Sequence, residues 1–415
     1  MQRLFTPQML FAYVLIAVGV IAFGWHPMDA AAAAGALPML LGDTAVPAKF
    51  NRIREKITAF QNVVATGTAS CEIPRYGQSL LSITLPMGGT TFTKSLITAI
   101  RLKLGAKQLC KWTGTNLDKM NQYKFGLLDA NANFINLDFT QPNDKEMGGE
   151  MIGGIDMTQL PAGKLTLEVD IAGATAPTLD AYATWGAPQG NPFVQKVIEF
   201  TATTGSATGD FYPVLNFKGA AVQRLYVIYT GTDWSGTATS AALGTNTGNG
   251  AMGAITVSAA CKVGAHTLTI IEPGANVGTF MHVDPDGNVV GHGVVASAYS
   301  SGGLAFTLAD GGTDFIAGDQ FTITVAERDG NLNEMEIKKD GRTVWRATCK
   351  LARYWQKRYG RTPQSKMYVA DFMLDNHSDG LLKTDDAASL EFRMNFTAAD
   401  TMTIYAEVLD QPDNL

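Results

Sequence analysis

Residues Leu165–Ile171 read LTLEVDI, and residues Leu390–Phe396 read LEFRMNF. In both stretches apolar and polar residues alternate, which is the pattern of a β-strand with one buried face. The two stretches also match each other at an offset of 225 residues, because Leu165 falls on Leu390 and Ile171 falls on Phe396. The match predicts that the chain contains the same β-rich module twice.

The match continues in the same order along the chain, at offsets that change only from 235 to 223. Four further features recur: a strand–turn–strand unit, a helical stretch closed by glycine, a strand ending in Asp-Phe, and a Tyr-Ala pair. In the first and second copies they lie at 100–109 and 335–344, at 116–126 and 348–360, at 134–139 and 367–372, and at 182–183 and 405–406. Glycine just past a helix is a common stop signal. Short strands with one interposed helix predict an all-β fold of two tandem jelly-roll β-sandwiches, each with a short helix.

The second copy is interrupted by a segment of different composition. It begins near Asn191 but reaches its strand–turn–strand unit only at Met335. Residues 231–326 are rich in Gly, Thr, Ser and Ala and poor in charge. They contain predicted strands of their own, at 266–271, 279–283, 304–308 and 321–325. Because exposed loop tips tolerate whole inserted domains, we predict a small β domain that projects from the outer end of the second module.

The pattern therefore divides the chain into four parts. Residues 1–48 form an apolar helix and a linker, residues 49–190 the first jelly roll, and residues 191–230 with 327–415 the second jelly roll. Residues 231–326 form the inserted domain.

The composition of the 415 residues excludes several protein classes. Hydrophobic residues make up 46% of the chain and charged residues 17%, which excludes an intrinsically disordered chain. The net charge of −6 argues against a protein whose main task is coating nucleic acid. The four cysteines are far apart and contain no CxxC pair, so we expect buried, reduced thiols and no zinc site.

Residues 9–25 carry no charge and are just long enough to cross a bilayer as a helix. Three interpretations remain open: a membrane anchor, a signal peptide cleaved within 30–34, and a helix buried in an assembly interface. The membrane-contact candidates are the large apolar side chains Met9, Phe11, Tyr13, Leu15, Ile16, Val20, Phe23 and Trp25.

The most basic stretch, residues 338–366, contains ten lysines and arginines and one acid, Asp340. On the predicted helix, Arg346, Lys350 and Arg353 have the spacing of one helix face. One interpretation is contact with phosphate, from lipid headgroups or packaged nucleic acid. The other interpretation is that these basic residues lie on the solvated or subunit-facing side of an amphipathic helix. The candidates for this basic patch are Arg342, Arg346, Lys350, Arg353, Lys357 and Arg361.

No set of residues predicts an enzyme or a cofactor site. The chain has no G-x-S-x-G and no H-E-x-x-H, and the GNGAMG at 248–253 leads into a strand, where dinucleotide binding needs a helix. His266, His282 and His292 lack metal-ligand spacing and are predicted to be structural. Asp284 and Asp286 suit a structural calcium ion only weakly, because a DPDG sequence is more typical of a simple turn.

The tandem modules, the helix in each, the insertion and the apolar amino terminus together resemble a known family. They are similar to the double jelly-roll major capsid proteins of tailless, internal-membrane-containing icosahedral phages of the corticovirus type. The stretches that carry the resemblance are 70–86, 100–111, 134–142 and 335–408. The inserted domain resembles phage head-decoration proteins, through residues 278–280, 284–287 and 318–323.

The resemblance implies a non-enzymatic major capsid protein in the virion shell, with three chains forming a pseudo-hexagonal capsomer over an internal membrane. The implied partners are two further copies of the chain, neighbouring capsomers, minor capsid or vertex proteins, the lipid membrane and, through the inserted domain, a host receptor. Sequence-specific nucleic acid is not among them. One alternative is an exported carbohydrate-binding or adhesive β-sandwich protein. A glycoside hydrolase would need a carboxylate pair that the sequence does not identify.

Overall fold

The computed structural model describes residues 52–414, except 127–132, 147–148, 205–207, 218, 232–235, 259–260 and 327–329. The predicted amino-terminal helix and all of its membrane-contact candidates lie outside the described residues. The chain divides into two units, Met1–Ile53 and Arg54–Leu415, and the second contains every element from β2 onward.

The amino-terminal module contains one α-helix, α1, in the described residues. Its elements are β1 (Ile53–Lys56), β2 (Gly67–Ile73), β3 (Ser79–Gly88), β4 (Ile97–Leu104), β5 (Lys107–Trp112), α1 (Gly114–Phe125), β6 (Phe134–Asp138), β7 (Ile155–Asp156), β8 (Leu165–Ile171), β9 (Thr178–Leu179) and β10 (Tyr182–Gly186).

The second module begins with three strands and is then interrupted by nine strands of the inserted domain. The three strands are β11 (Val194–Thr203), β12 (Gly209–Phe211) and β13 (Ala221–Tyr229). The nine are β14 (Thr237–Ala242), β15 (Ala251–Met252), β16 (Thr256–Val257), β17 (Gly264–Glu272), β18 (Thr279–Val283), β19 (Val289–Val294), β20 (Ala298–Ser301), β21 (Leu304–Ala309) and β22 (Gln320–Ala326).

The carboxyl-terminal residues complete the second module with the second helix. Its remaining elements are β23 (Leu332–Lys339), β24 (Arg342–Thr348), α2 (Cys349–Arg358), β25 (Met367–Asp371), β26 (Leu382–Lys383), β27 (Leu390–Phe396) and β28 (Thr401–Asp410).

The two modules have the same strand order, which confirms the predicted pair of jelly rolls. In the first module one sheet has the order β1-β10-β3-β6, and the corresponding strands of the second module have the order β11-β28-β13-β25. The other sheet has the order β2-β8-β4-β5 in the first module and β12-β27-β23-β24 in the second. The stretches LTLEVDI and LEFRMNF are β8 and β27, at equivalent positions in the two modules.

One sheet runs through both modules. Strand β5 of the first module lies parallel to β11 of the second, with Val197 opposite Cys110, and this pairing joins the two into a nine-stranded sheet. The modules therefore stand side by side, and neither is an appendage of the other.

Helix α1 begins two residues earlier than its sequence pattern predicts, and helix α2 begins one residue later. A threonine N-cap explains each difference. The side chain of Thr113 accepts the Asn116 backbone N–H, so α1 starts at Gly114. The side chain of Thr348 accepts the Leu351 N–H, so α2 starts at Cys349. A threonine at this position satisfies one of the amide groups that have no partner inside the helix.

The inserted segment builds two sheets around a core separate from those of the jelly rolls. One sheet has the order β14-β22-β17-β18-β19, and the other is formed by β15, β16, β20 and β21. Phe280, Leu308, Phe321 and Ile323 are buried between them. Strands β14 (TATSAA), β15 (AM), β19 (VVGHGV) and β20 (AYSS) have no counterpart among the predicted strands, because none of them has an apolar residue at every second position.

Candidate assembly interface

Helix α1 lies between the two modules and contacts the second one along its length. Near its start, Asn116 Nδ2 donates to the Tyr405 hydroxyl at 3.0 Å, and one turn later Lys119 Nζ donates to the Ser365 carbonyl at 3.3 Å. Tyr123 packs edge to face on Tyr226, with ring centroids 5.9 Å apart. Tyr226 and Tyr405 belong by sequence to the second module, yet they are part of the apolar core of the first.

The carboxylate of Glu407 on β28 is the centre of a buried polar network at this contact. It receives Lys124 Nζ from α1 at 3.1 Å and Arg224 Nη1 from β13 at 3.0 Å. It also accepts hydrogen bonds from the Tyr226 hydroxyl at 3.1 Å and from Gln195 Nε2 at 2.9 Å. Burial alone would raise the pKa of Glu407, but the cations Lys124 and Arg224 hold it at about 2. The carboxylate is therefore ionised at every physiological pH.

A second buried carboxylate, Asp371 on β25, extends the network. Arg224 Nε lies 3.0 Å from Asp371 Oδ1, and the Tyr123 hydroxyl of α1 donates to Oδ2 at 2.9 Å. Arg361 Nε lies 3.5 Å from the same oxygen. Burial raises the pKa of Tyr123 well above its ordinary value, so its hydroxyl keeps the proton that it donates.

These charges are costly to bury, and the first module supplies two of the groups that pair with them, Lys124 and Tyr123. Arg224 and Glu407 are each about 1% exposed. A buried charge without its counter-charge costs several kcal/mol, roughly 3–5 when one partner of a pair is removed. Because Lys124 and Tyr123 come from α1 and the carboxylates from the second module, the network selects one relative position of the two modules.

The structure separates the basic patch candidates into exposed and buried residues. Arg353 is buried with its Nη1 at 3.4 Å from Cys349 Sγ, and Arg361 is buried with its Nη2 at 2.7 Å from Asn376 Oδ1. Arg346 lies in strand β24 and not on the helix, so the predicted face of Arg346, Lys350 and Arg353 was wrong. The helix begins three residues after Arg346, and its side at Arg353 is the one that packs on the sandwich.

The exposed members of the basic patch lie on one flank of the second module. They are Arg342, Arg346, Lys350 and Lys357, and Arg358 joins them. On the same flank Leu351, Tyr354 and Tyr359 are exposed as well. The flank is therefore both basic and apolar, which is the composition of protein interfaces as much as of phosphate sites.

The acid pair of the inserted domain contacts a lysine. Lys262 Nζ lies 2.5 Å from Asp284 Oδ2 and 2.6 Å from Asp286 Oδ2, and Asp284 Oδ1 accepts the backbone N–H of Asn288. The ammonium group thus occupies the position between the two carboxylates where the sequence suggested calcium.

His266 and His282 form a buried hydrogen-bonded chain in the core of the inserted domain. His266 Nε2 donates to the Lys262 carbonyl at 2.8 Å. Its Nδ1 therefore accepts from His282 Nε2 at 3.0 Å, and His282 Nδ1 accepts from the Tyr299 hydroxyl at 2.9 Å. Burial lowers the pKa of His282 to about 4. His282 is therefore neutral in this arrangement.

Sequence reasoning missed one group of side chains in the described residues whose ligand atoms lie close enough together to hold a metal ion. Ligand atoms of Glu146, His377 and Asp379 lie within 4.8 Å of one another, in loops of both modules. Glu146 Oε1 accepts the Asp379 backbone N–H at 3.1 Å, and Glu146 Oε2 accepts the Ser378 hydroxyl. Glu146 and His377 are 231 positions apart in the sequence, so no local motif could have predicted this group.

All four cysteines are free and buried, and burial raises the pKa of Cys71 and Cys110 to about 12. Within the described ranges, neither helix combines the length and the apolar character needed to span a bilayer.

Two family models match the chain, one over the first module and one that begins inside the inserted segment and runs to the end of the second module. The model of the viral coat protein P2 N-terminal domain matches residues 54–186, and that of the P2 C-terminal domain matches residues 294–412. Together they cover more than half of the chain. No curated protein matches the sequence significantly.

Solved structures with the same fold come from viruses of different hosts. The major capsid protein P2 of Bacteriophage PM2 matches with a TM-score of 0.56 at 14% identity, over 86% of this chain and 97% of that one. A chain from the atomic structure of Sulfolobus Turreted Icosahedral Virus matches with a TM-score of 0.50 at 11% identity, over 87% and 91%. At these identities the similarity establishes the fold.

The family matches confirm the predicted capsid role and the prediction that the protein is not an enzyme, and they do not favour the exported carbohydrate-binding alternative. The chain belongs to the viral coat protein P2 family and is a structural component of the virion shell.

Proposed function

We propose that three copies of the chain form one capsomer with a pseudo-hexagonal outline, and that these capsomers tile an icosahedral shell over an internal membrane. The observation that carries the proposal is the nine-stranded sheet, in which β5 and β11 join the two modules side by side. Six such modules, two from each of three chains, would occupy equivalent positions around one axis. Rings of this kind arise from heterologous contacts that close on themselves.

The mass in solution tests the trimer. At high concentration the purified full chain is expected to have three times its 44.3 kDa chain mass by light scattering. A stable monomer under these conditions would contradict the proposal.

We propose further that residues 231–326 form a peripheral domain that points outward and is accessible to a host receptor. Both ends of the segment are tied to one residue of the second module. Asp400 accepts the backbone N–H groups of Thr230 and Gly231, each at 3.0 Å, and the Asn331 side chain at 3.0 Å. The closely spaced ends and the separate core support a domain inserted at one end of the sandwich.

Deleting residues 237–326 and bridging the gap with a short Gly/Ser linker is expected to leave the trimer intact. The reason is that the inserted core shares no residue with the cores of the jelly rolls in the described chain. Light scattering of the deletion variant, with the full chain as the control, makes the comparison. Loss of soluble trimer would show that the domain is part of the assembly contact.

Residues 9–25 are proposed to contact the inner membrane. The full chain is then expected to float with phospholipid vesicles in a density gradient, whereas a variant that lacks residues 1–48 stays at the bottom. Mass spectrometry of the virion protein provides the control for processing. Cleavage within 30–34 would indicate export and would contradict membrane contact by this segment.

A further inference from the structure

An open groove of about 310 Å³ lies at one end of the second module. Ile152, from the loop before β7, contributes one part of its lining, and the second module contributes the rest. Its apolar surface includes Leu409 and Ala220, which are buried, and Phe193, which is 44% exposed. Two charged residues, Lys383 and Asp385, also line the groove. It therefore combines an apolar interior with one cation and one anion.

Strand β28 shows where the groove lies relative to the inserted domain. Asp400, which binds the chain at both ends of the inserted segment, directly precedes this strand, and Leu409 lies near the end of the strand. An extended chain from Asp400 to Leu409 spans roughly 30 Å. Ala221 of β13 lies opposite Leu409 and begins its strand at the same end. The groove is therefore at the end of the sandwich opposite the inserted domain.

Hydrogen bonds fix the charged rim to the apolar interior. The hydroxyl of the buried Thr384 accepts the Gly219 N–H at 2.9 Å and donates to the Ala220 carbonyl at 2.7 Å. The Thr384 N–H donates to the same carbonyl at 3.1 Å. Lys383 and Asp385 are the neighbours of Thr384 in the chain. Their backbone is therefore held beside the interior of the groove before any ligand binds.

The two charges at the rim face solvent. Lys383 and Asp385 are both exposed, and among the described residues no hydrogen bond or ion pair engages either charged group. The next residue, Asp386, differs because its carboxylate binds Lys339. The ammonium group of Lys383 and the carboxylate of Asp385 are thus available to a ligand.

We infer that this groove binds one zwitterionic phospholipid of the internal membrane. The lipid phosphate lies at Lys383, its ammonium group lies at Asp385, and the first part of an acyl chain packs on Phe193. The inference rests on the proposed function, because the end of the sandwich opposite an outward-pointing inserted domain faces the membrane. The occupant is a lipid because a phospholipid joins two opposite charges to an apolar chain, as the groove joins a charged rim to an apolar interior.

The carboxylate at the rim distinguishes one phospholipid headgroup from the others. The primary ammonium group of phosphatidylethanolamine has N–H groups that donate to a carboxylate, and such charge-assisted hydrogen bonds are stronger than neutral ones. The choline group of phosphatidylcholine has no N–H, and phosphatidylglycerol has no cation. Asp385 therefore favours phosphatidylethanolamine over both.

The groove and residues 9–25 have different roles at the membrane. Stable attachment of a protein to a bilayer usually takes two signals. Residues 9–25 supply the apolar segment in the proposed function, and the groove supplies recognition of a headgroup. The groove alone is therefore not expected to hold the chain on vesicles.

Titration calorimetry with a soluble short-chain lipid tests the groove. The full chain is titrated with dihexanoyl phosphatidylethanolamine below its critical micelle concentration, so that no bilayer forms. One lipid is expected to bind per chain. Dihexanoyl phosphatidylcholine and dihexanoyl phosphatidylglycerol are expected to bind at least about fivefold more weakly. Free phosphoethanolamine, which has no acyl chains, is expected to bind at least about tenfold more weakly than the lipid.

Substitutions at the rim assign the binding to the groove. Lys383→Gln is expected to weaken the binding of all three lipids by roughly tenfold, because it removes the charge that meets the phosphate. Asp385→Asn is expected to remove the preference for phosphatidylethanolamine and to leave phosphatidylglycerol binding unchanged. The matched control is Lys164→Gln, which removes an exposed lysine outside the groove. Residues 9–25 are the same in every variant, so lipid bound by that segment does not change between them.

The outcomes separate the groove from the proposed function. Equal binding of the three lipids, equal binding of free phosphoethanolamine, or unchanged binding by Lys383→Gln would overturn the inference. A trimer that floats with vesicles but does not bind the short-chain lipid would also overturn it and leave the proposed function standing. A chain that binds the short-chain lipid but neither trimerises nor floats would overturn the proposed function, and with it the role of the groove at a membrane. Circular dichroism of each variant verifies that the exposed substitutions leave the fold intact.

Discussion

Replacing Glu407 with leucine is expected to lower the free energy of unfolding by about 3–5 kcal/mol. The substitution leaves the Lys124 ammonium and one side of the Arg224 guanidinium buried without their counter-charge. It also removes the acceptor of the Tyr226 hydroxyl. Urea unfolding followed by tryptophan fluorescence measures the change.

The control is a carboxylate in an exposed pair. Glu391 lies 3.3 Å from Lys338 on the surface, and Glu391→Gln is expected to change stability by less than about 1 kcal/mol. If Glu407→Leu changed stability no more than this control, the buried network would not hold the modules together.

A double-mutant cycle assigns the effect to the contact between modules. Lys124 lies on α1 of the first module and Glu407 on β28 of the second, so their coupling measures the joint itself. Lys124→Met combined with Glu407→Leu is expected to cost clearly less than the sum of the single changes, since each single variant leaves one buried charge unpaired. Additive costs would contradict a direct interaction.

Acidification from pH 7 to pH 4.5 is expected to destabilise the inserted domain by about 2–3 kcal/mol. Burial lowers the pKa of His282 from its ordinary 6.5 to about 4, so between these values the unfolded chain binds a proton that the folded domain does not. Stability therefore rises with pH over this window. The contribution of neutral His282 is complete above pH 6.5 and falls as the pH approaches 4.

The groups around His282 do not compensate for a proton. His282 Nε2 donates to His266 Nδ1, and a charge on His266 lowers the pKa of His282. Tyr299 is a neutral donor to Nδ1. Asp284 favours the charged form of His282, but its carboxylate also binds Lys262. A cation at His282 is thus buried without a counter-ion of its own.

Hydrogen–deuterium exchange of peptides from β17, β18 and β20, corrected for the intrinsic effect of pH, reports the opening of this domain. Measurements stay at or above pH 4.5, where the Glu407 network, with a pKa of about 2, remains charged. Peptides of β28 are the internal reference. His282→Gln is expected to flatten the pH dependence, and the exposed His292→Gln is not. Equal pH dependence in both variants would contradict the role of His282.

The local pattern of apolar and polar residues was sufficient to predict most strands of the jelly rolls. LTLEVDI and LEFRMNF have the burial that their alternation predicts, because each strand packs one face on a core and its periodicity records that face. The short strands β14, β19 and β20 were not predicted, because their apolar residues do not recur at every second position. The burial of Arg353 and Arg361 was not predicted for another reason. A charged residue predicts a surface position, and these two are buried only because of the residues that pack around them in the tertiary structure.

The amino-acid sequence by itself determined the class of the protein: two copies of one β module, an interruption in the second, and no catalytic set of residues. The alternation of apolar and polar residues is a local signal, and the duplication of the module is a repeated one. Both can be read from the sequence without knowledge of the fold. Only the tertiary structure decided how the two modules are joined. Lys124 and Glu407 are 283 positions apart, and no periodicity relates them. Their pairing depends on the position of α1 on β28 in the folded chain. In the same arrangement α2 and the outer face of β10 remain uncovered.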